Sequence, residues 1–252
     1  MTADIHLIQT TINPVINSYK TSSEWLEYFQ FNRQHLLSIS WESSHRLNDI
    51  EKNNISNSIR SFQLGESSEG TNLLKAARAY AAVSGDTVYV EALKLFIAEE
   101  QRHAADLGRF MKQQGIALAK RHWTDSIFRK LRKLANLELA IVVLLTAEII
   151  ALVYYDALGK ATRSLILKQI CQQILHDENH HVCFQSQQLG KLRQYRSKWQ
   201  LGCLELFHRS FFGATLLLVW FDHKKVFRAG SYTLMSFFQS AWREFDRAIA
   251  IM

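Results

Sequence analysis

The chain has one proline and ten glycines in 252 residues. So little turn chemistry pushes a sequence toward long helices rather than many short strands. The apolar residues agree: they recur at spacings of three and four, the helical period, and strands are hard to find. The expected fold is all-α in one domain. A four-helix core should occupy about residues 55–190, with an N-terminal helical extension over 1–54 and further helices over 191–252.

The pattern predicts a first helix in 22–40, opening at Ser23 as N-cap and amphipathic to about Leu37. A polar connection follows over 42–54. From Ile55 one long helix is expected, with Ile59, Phe62, Glu66, Glu69, Leu73, Ala76 and Tyr80 on its pattern, stopping at Gly85. A second core helix should run from about Thr87 to Gln114, and a third from about Ser126 to Leu158. A fourth should start near Thr162 or Ser164. Two more are expected over 198–222 and 231–250.

Composition excludes several classes. The first ten residues have neither a basic n-region nor a long apolar run, so no secretory signal is read there. The apolar run 211–221 is shorter than the roughly 20 residues of a spanning helix, which favours a buried helix. Cys171, Cys183 and Cys203 form no Cys-x-x-Cys pair and no disulfide framework, which suits a reducing cytoplasm. The net charge of +7 is concentrated in 119–133, 191–198 and 223–228. Those clusters read as solvated helix ends and loops, with nucleic acid, an anionic membrane surface or an acidic redox partner as the partners they could serve.

Chemistry enters at paired carboxylates and imidazoles. Glu-x-x-His puts both side chains on one helical face, one turn apart. The motif is weak alone, and this chain holds four: Glu42/His45, Glu100/His103, Glu178/His181 and Glu205/His208. Glu69 precedes Glu100 by 31 residues and Glu148 precedes Glu178 by 30, and only these two pairs have such a partner. Gly85 lies midway between Glu69 and Glu100, so an antiparallel hairpin brings them to one height. Four glutamates and two histidines then converge inside a bundle. Unpaired, such carboxylates would be driven to protonate, whereas two divalent cations would neutralise them. Mixed carboxylate and imidazole donors suit iron or manganese better than structural zinc.

These residues resemble the ferritin-like diiron-carboxylate superfamily, whose pattern is one Glu from each of two helices and a Glu-x-x-His from each of two others. The resemblance covers about 55–190 and implies a ferritin-like four-helix bundle. It implies two iron ions, or a manganese–iron pair, bridged by Glu100 and Glu178 as the central catalytic carboxylates. His103, His181, Glu69 and Glu148 would be terminal ligands. Asp177 would accept the outer N–H of His103, its competing role being a surface salt bridge. Tyr155, on the stripe of Glu148, packs the core or lines a substrate cavity.

Other polar residues receive plainer readings. Glu66 shares the inner face with Glu69 and is the alternative ligand. Glu99, beside Arg102, is expected to be solvated or ion-paired, and Glu138 paired with a basic side chain. His176 and His180 should face water, and His208 is not expected to reach the site as an extra ligand. The aromatic C-terminal third reads as core, with the wall of an apolar substrate channel or a dimer interface as the alternatives. Leu107 stands where a radical-storing reductase subunit would carry a tyrosine, and no cysteine-rich iron domain is present. By resemblance the chain is closest to oxidases and oxygenases that use O2 as co-substrate, or to uncharacterised ferritin-like proteins of similar length. An external electron donor and an apolar small-molecule substrate would then be needed, and a homodimer is compatible. The rival expectations are ferroxidase or peroxide-scavenging chemistry, and modification of a bound tRNA or membrane quinone.

Overall fold

The computed structural model describes residues 19–67, 70–119 and 136–252. Among them every regular element is helical: α1 (Ser22–Gln34), α2 (Asp49–Glu66), α3 (Thr71–Ser84), α4 (Thr87–Gln113), α5 (Leu137–Lys160), α6 (Leu165–Arg193), α7 (Lys198–Ala229) and α8 (Leu234–Ile251). The basic segment 120–133 and the expected start of the third core helix at Ser126 lie outside the described residues. Local signals set most helix starts. Thr21 and Asn48 close capping boxes with Glu24 and Glu51, while Asp86, Asn136 and Ser164 accept N-terminal amides of α4, α5 and α6. The first helix is therefore capped by Thr21 rather than Ser23.

The helix expected to run unbroken from Ile55 to Ser84 is divided. α2 ends at Glu66, and α3 starts after Gly70, which takes a left-handed conformation with φ of 63°. A side chain there would also collide with Ile97 on α4. Glycine thus permits both the turn and the close approach.

The antiparallel pair α5–α6 forms the tightest helix contact; α4 packs on α6, and α2 and α3 pack on α4. α5 is apolar around its whole circumference. By length and composition it could cross a membrane, but 83% of its most apolar window is buried here, as in a central core helix. α1 lies on α4 and buries Trp25, Phe29 and Asn32 at i, i+4 and i+7. Full burial of Trp25 and Phe29 is worth roughly 1.5–3 kcal/mol for each ring, enough to hold α1 on the bundle. α7 covers α2 and α5, and α8 covers α5 and α6. α7 runs to Ala229, beyond the expected end at 222. The C-terminal third is not plain core, because one face of α7 is exposed along its length.

Candidate metal centre

Four helices meet at mid-height. α4 presents Glu100 and His103, α6 presents Glu178 and His181, α2 brings Glu66 and α5 brings Glu148. Donor atoms of Glu66, Glu100, His103 and Glu178 all lie within 4.8 Å of one another, and so do those of Glu100, Glu148, Glu178 and His181. Two four-donor groups therefore share Glu100 and Glu178. Nδ1 of His181 lies 3.0 Å from Glu100 Oε1, 3.4 Å from Glu178 Oε2 and 3.8 Å from Glu148 Oε2. Nδ1 of His103 is 3.7 Å from both Glu100 Oε1 and Glu178 Oε1.

The outer nitrogens are tied to carboxylates. His103 Nε2 meets Asp177 Oδ2 at 2.8 Å, and His181 Nε2 meets Glu99 Oε2 at 2.9 Å. A carboxylate at Nε2 keeps the proton on that nitrogen and leaves the Nδ1 lone pair facing inward. Asn32 Nδ2 then donates to both acceptors, at 2.6 Å to Glu99 Oε1 and 2.8 Å to Asp177 Oδ1. Asp177 also accepts from Arg102 Nη2 at 2.5 Å and from Gln173 Nε2 at 2.9 Å. Burial alone would raise the Asp177 carboxyl. The His103 hydrogen bond and the charges of His103 and Arg102 override burial and hold it well below the usual range.

The inner atoms are in the opposite situation. Glu100 Oε1, Glu148 Oε1, both oxygens of Glu178 and the Nδ1 atoms of His103 and His181 are buried without a hydrogen-bond partner. Burial, then the neighbouring carboxylates, pushes Glu66, Glu100 and Glu178 up. Burial would raise Glu148, but the adjoining Glu178 and the imidazoles of His181 and His103 hold it below its ordinary value. His181 is raised against burial by the ring of carboxylates. Four carboxyl groups with outward-braced imidazoles and orphaned inner atoms are a donor set that fits divalent cations. Among the described residues, this Glu/His cluster could hold a metal ion and is compatible with a dinuclear helical bundle.

Of the residues singled out from sequence, Glu100, His103, Glu148, Glu178 and His181 come together, with Asp177 behind His103. Glu69 lies outside the described residues. Glu66 occupies the α2 position in the cluster; the hairpin count that favoured Glu69 assumed one unbroken helix, whereas α2 ends at Glu66 and α3 starts at Thr71. Tyr155 Oη donates to Glu66 Oε1 at 2.5 Å, so Tyr155 braces a candidate ligand. Glu138 is paired with Arg193 at 2.9 Å and Arg196 at 3.2 Å. His176 is exposed, while His180 is half-buried and stacks on Tyr28. His208 is buried beside Thr146, 3.2 Å from its hydroxyl, and Glu205 pairs with Arg209.

Glu99 is the clear correction. It is only 4% exposed and braces His181 rather than meeting solvent. A signal for it was present: an acid directly precedes Glu100 and Glu178 alike. Asn32 carried no such signal, because α1 lies outside the repeated hairpin.

Beside the cluster lies a cavity of about 140 Å³, lined by Glu66, Glu100, Glu148 and Glu178 at one end. Phe62, Val143, Leu144, Ile150, Ala151 and Val219 form apolar walls, and His223 stands among them with its Nδ1 2.8 Å from Ser58 Oγ. Compared with known proteins, the chain matches no family model, no curated protein and no solved structure.

Proposed function

We propose that this protein is a dinuclear iron, or manganese–iron, oxidoreductase that activates O2 toward an apolar substrate. The observation that carries the reading is the pair of four-donor groups sharing Glu100 and Glu178, opening directly on an apolar cavity. Glu66 and His103 would complete one ion's ligands, and Glu148 and His181 the other's. That division matches the ferritin-like diiron-carboxylate pattern to which the sequence is similar. Two redox-active ions held there would supply the electrons that reduce O2 and the oxidising power to attack an unactivated carbon.

The chain's own residues do the rest. Four carboxylates offset the cationic charge in a site that excludes water. Asp177 and Glu99 orient the imidazoles and raise their basicity. Tyr155 fixes one carboxylate oxygen of Glu66, leaving the other oxygen for an ion. The cavity walls offer a lipophilic molecule contact and give water few partners. Electrons would come from a separate donor, since the sequence has no flavin, nicotinamide or iron–sulfur motif.

The test is metal analysis after iron-replete expression, followed by O2 consumption with a chemical reductant. About two ions per chain are expected from the two shared groups, with Glu100→Ala and His181→Ala losing them. A metal-free chain would overturn the assignment. O2 uptake that never responds to a lipophilic additive, with Fe(II) alone as substrate, would redirect the function to iron oxidation.

A further inference from the structure

The exposed face of α7 is the feature that the metal centre leaves unused. Seven of the eighteen exposed large hydrophobic side chains among the described residues lie on this one helix. Trp199, Leu206, Phe207, Leu217, Leu218 and Phe221 recur at three- and four-residue steps, together with Cys203, Ser210 and Ala214, all exposed. At 100° per residue they fall on an arc of about 120° and extend for roughly 33 Å of helix. Trp199 is 78% exposed, Leu206 67% and Phe221 66%. A continuous apolar stripe of this size marks a surface that is covered in use.

The same arc continues into Lys224, Lys225 and Arg228, all exposed, and carries no carboxylate. Glu205 lies on the opposite side and pairs with Arg209, and Asp222 falls outside the arc beside His223. A second copy of the chain laid on this face would bring no anion opposite the three cations. An anionic lipid surface supplies both partners at once: acyl chains for the stripe and headgroups for the bases.

We infer that α7 lies in the plane of an anionic membrane, its Trp199–Phe221 stripe in the acyl boundary and Lys224, Lys225 and Arg228 among the headgroups. By length and composition α7 could also cross a membrane, but its other face packs on α2, α5 and α8, which leaves only the stripe for lipid. That buried face carries Val219 and His223, which line the cavity. Docking would therefore place a wall of the cavity against the lipid and give a membrane-dissolved substrate a short path to it. This last point rests on the proposed oxidoreductase reading; the docking itself does not.

The test uses the full chain, metal-free and metal-loaded, in co-sedimentation with neutral phosphatidylcholine vesicles and with vesicles containing phosphatidylglycerol. Binding should require the anionic lipid and weaken with salt. Phe207→Asp and Leu218→Asp should each weaken it roughly tenfold or more. Lys224→Glu with Arg228→Glu should remove at least about fivefold per charge. All four side chains are exposed, so helix content and metal content should match the unsubstituted protein. A second readout needs no substitution. Cys203 is the exposed cysteine on the stripe, whereas Cys171 and Cys183 are buried. An environment-sensitive dye on Cys203 should shift to the blue on adding anionic vesicles. Absence of both binding and shift would overturn the inference, as would a dimer in solution that Phe207→Asp separates. Loss of metal without loss of vesicle binding would instead count against the oxidoreductase reading alone.

Discussion

Replacing Asn32 with leucine tests the part of the centre that lies outside the helical hairpins. The side chain is 3% exposed, and its Nδ2 donates at 2.6 Å to Glu99 and 2.8 Å to Asp177. Leucine keeps the branched skeleton with slightly larger methyl ends, so the change removes two hydrogen bonds and opens no cavity. Hydrogen bonds to charged groups contribute about 1.5–3 kcal/mol each, so the pair predicts a loss of about 3–6 kcal/mol. Asp177 keeps Arg102, His103 and Gln173, and Glu99 keeps His181, which places the expectation toward the lower end. Urea denaturation of the metal-free protein would read it as a lower midpoint with unchanged slope. The two imidazoles would also lose a shared brace, and outer partners of this kind are worth about 10–100-fold in metal affinity. Chelator competition with Mn(II) measures that directly. A stability loss under about 1 kcal/mol with unchanged affinity would refute the view that Asn32 couples the two outer carboxylates.

Three further outcomes are expected. Gly70→Ala should cost about 1–2 kcal/mol from the left-handed backbone alone and more from the collision with Ile97; metal content should fall with it, because this turn sets the end of α2 at Glu66. Metal affinity should rise with pH, since Glu66, Glu100, Glu178 and His181 are all raised and hold protons that an ion must displace. Calorimetry in buffers of differing ionisation enthalpy would count the released protons, and pH-independent binding without release would contradict the electrostatics described. His208 is pushed down to about 4 from 6.5 by burial, so the unfolded chain binds the extra proton. Its contribution, roughly 3 kcal/mol when complete, is present above the unfolded value and lost as the pH falls toward about 4. His208→Gln should flatten that limb of the stability–pH curve, measured by denaturation at several pH values.

Much of the centre was legible in the chain. Glu100/His103 and Glu178/His181 are read from spacing, because i, i+3 geometry is local and needs no tertiary information. The role of Asp177 came from the resemblance, whose pattern places an aspartate directly before such a glutamate. Glu99 was open to the same reasoning, yet a charged residue beside Arg102 looks the same in sequence whether it meets water or a buried imidazole. The choice between Glu66 and Glu69 rested on counting along one helix, and the chain is divided there into α2 and α3.

Helix content, the caps at Thr21, Asn48, Asp86, Asn136 and Ser164, and the twofold Glu-x-x-His repeat were determined by the sequence itself, since each depends on residues within a turn or two of one another. Three things were decided only by the tertiary structure. Asn32 reaches Glu99 and Asp177 across 67 and 145 residues of chain, which no local rule specifies. The cavity exists because α2, α5 and α7 leave space beside the glutamates. The stripe on α7 has the periodicity of a core face; whether such a face is covered depends on which helices pack against it, and none of the described residues cover this one.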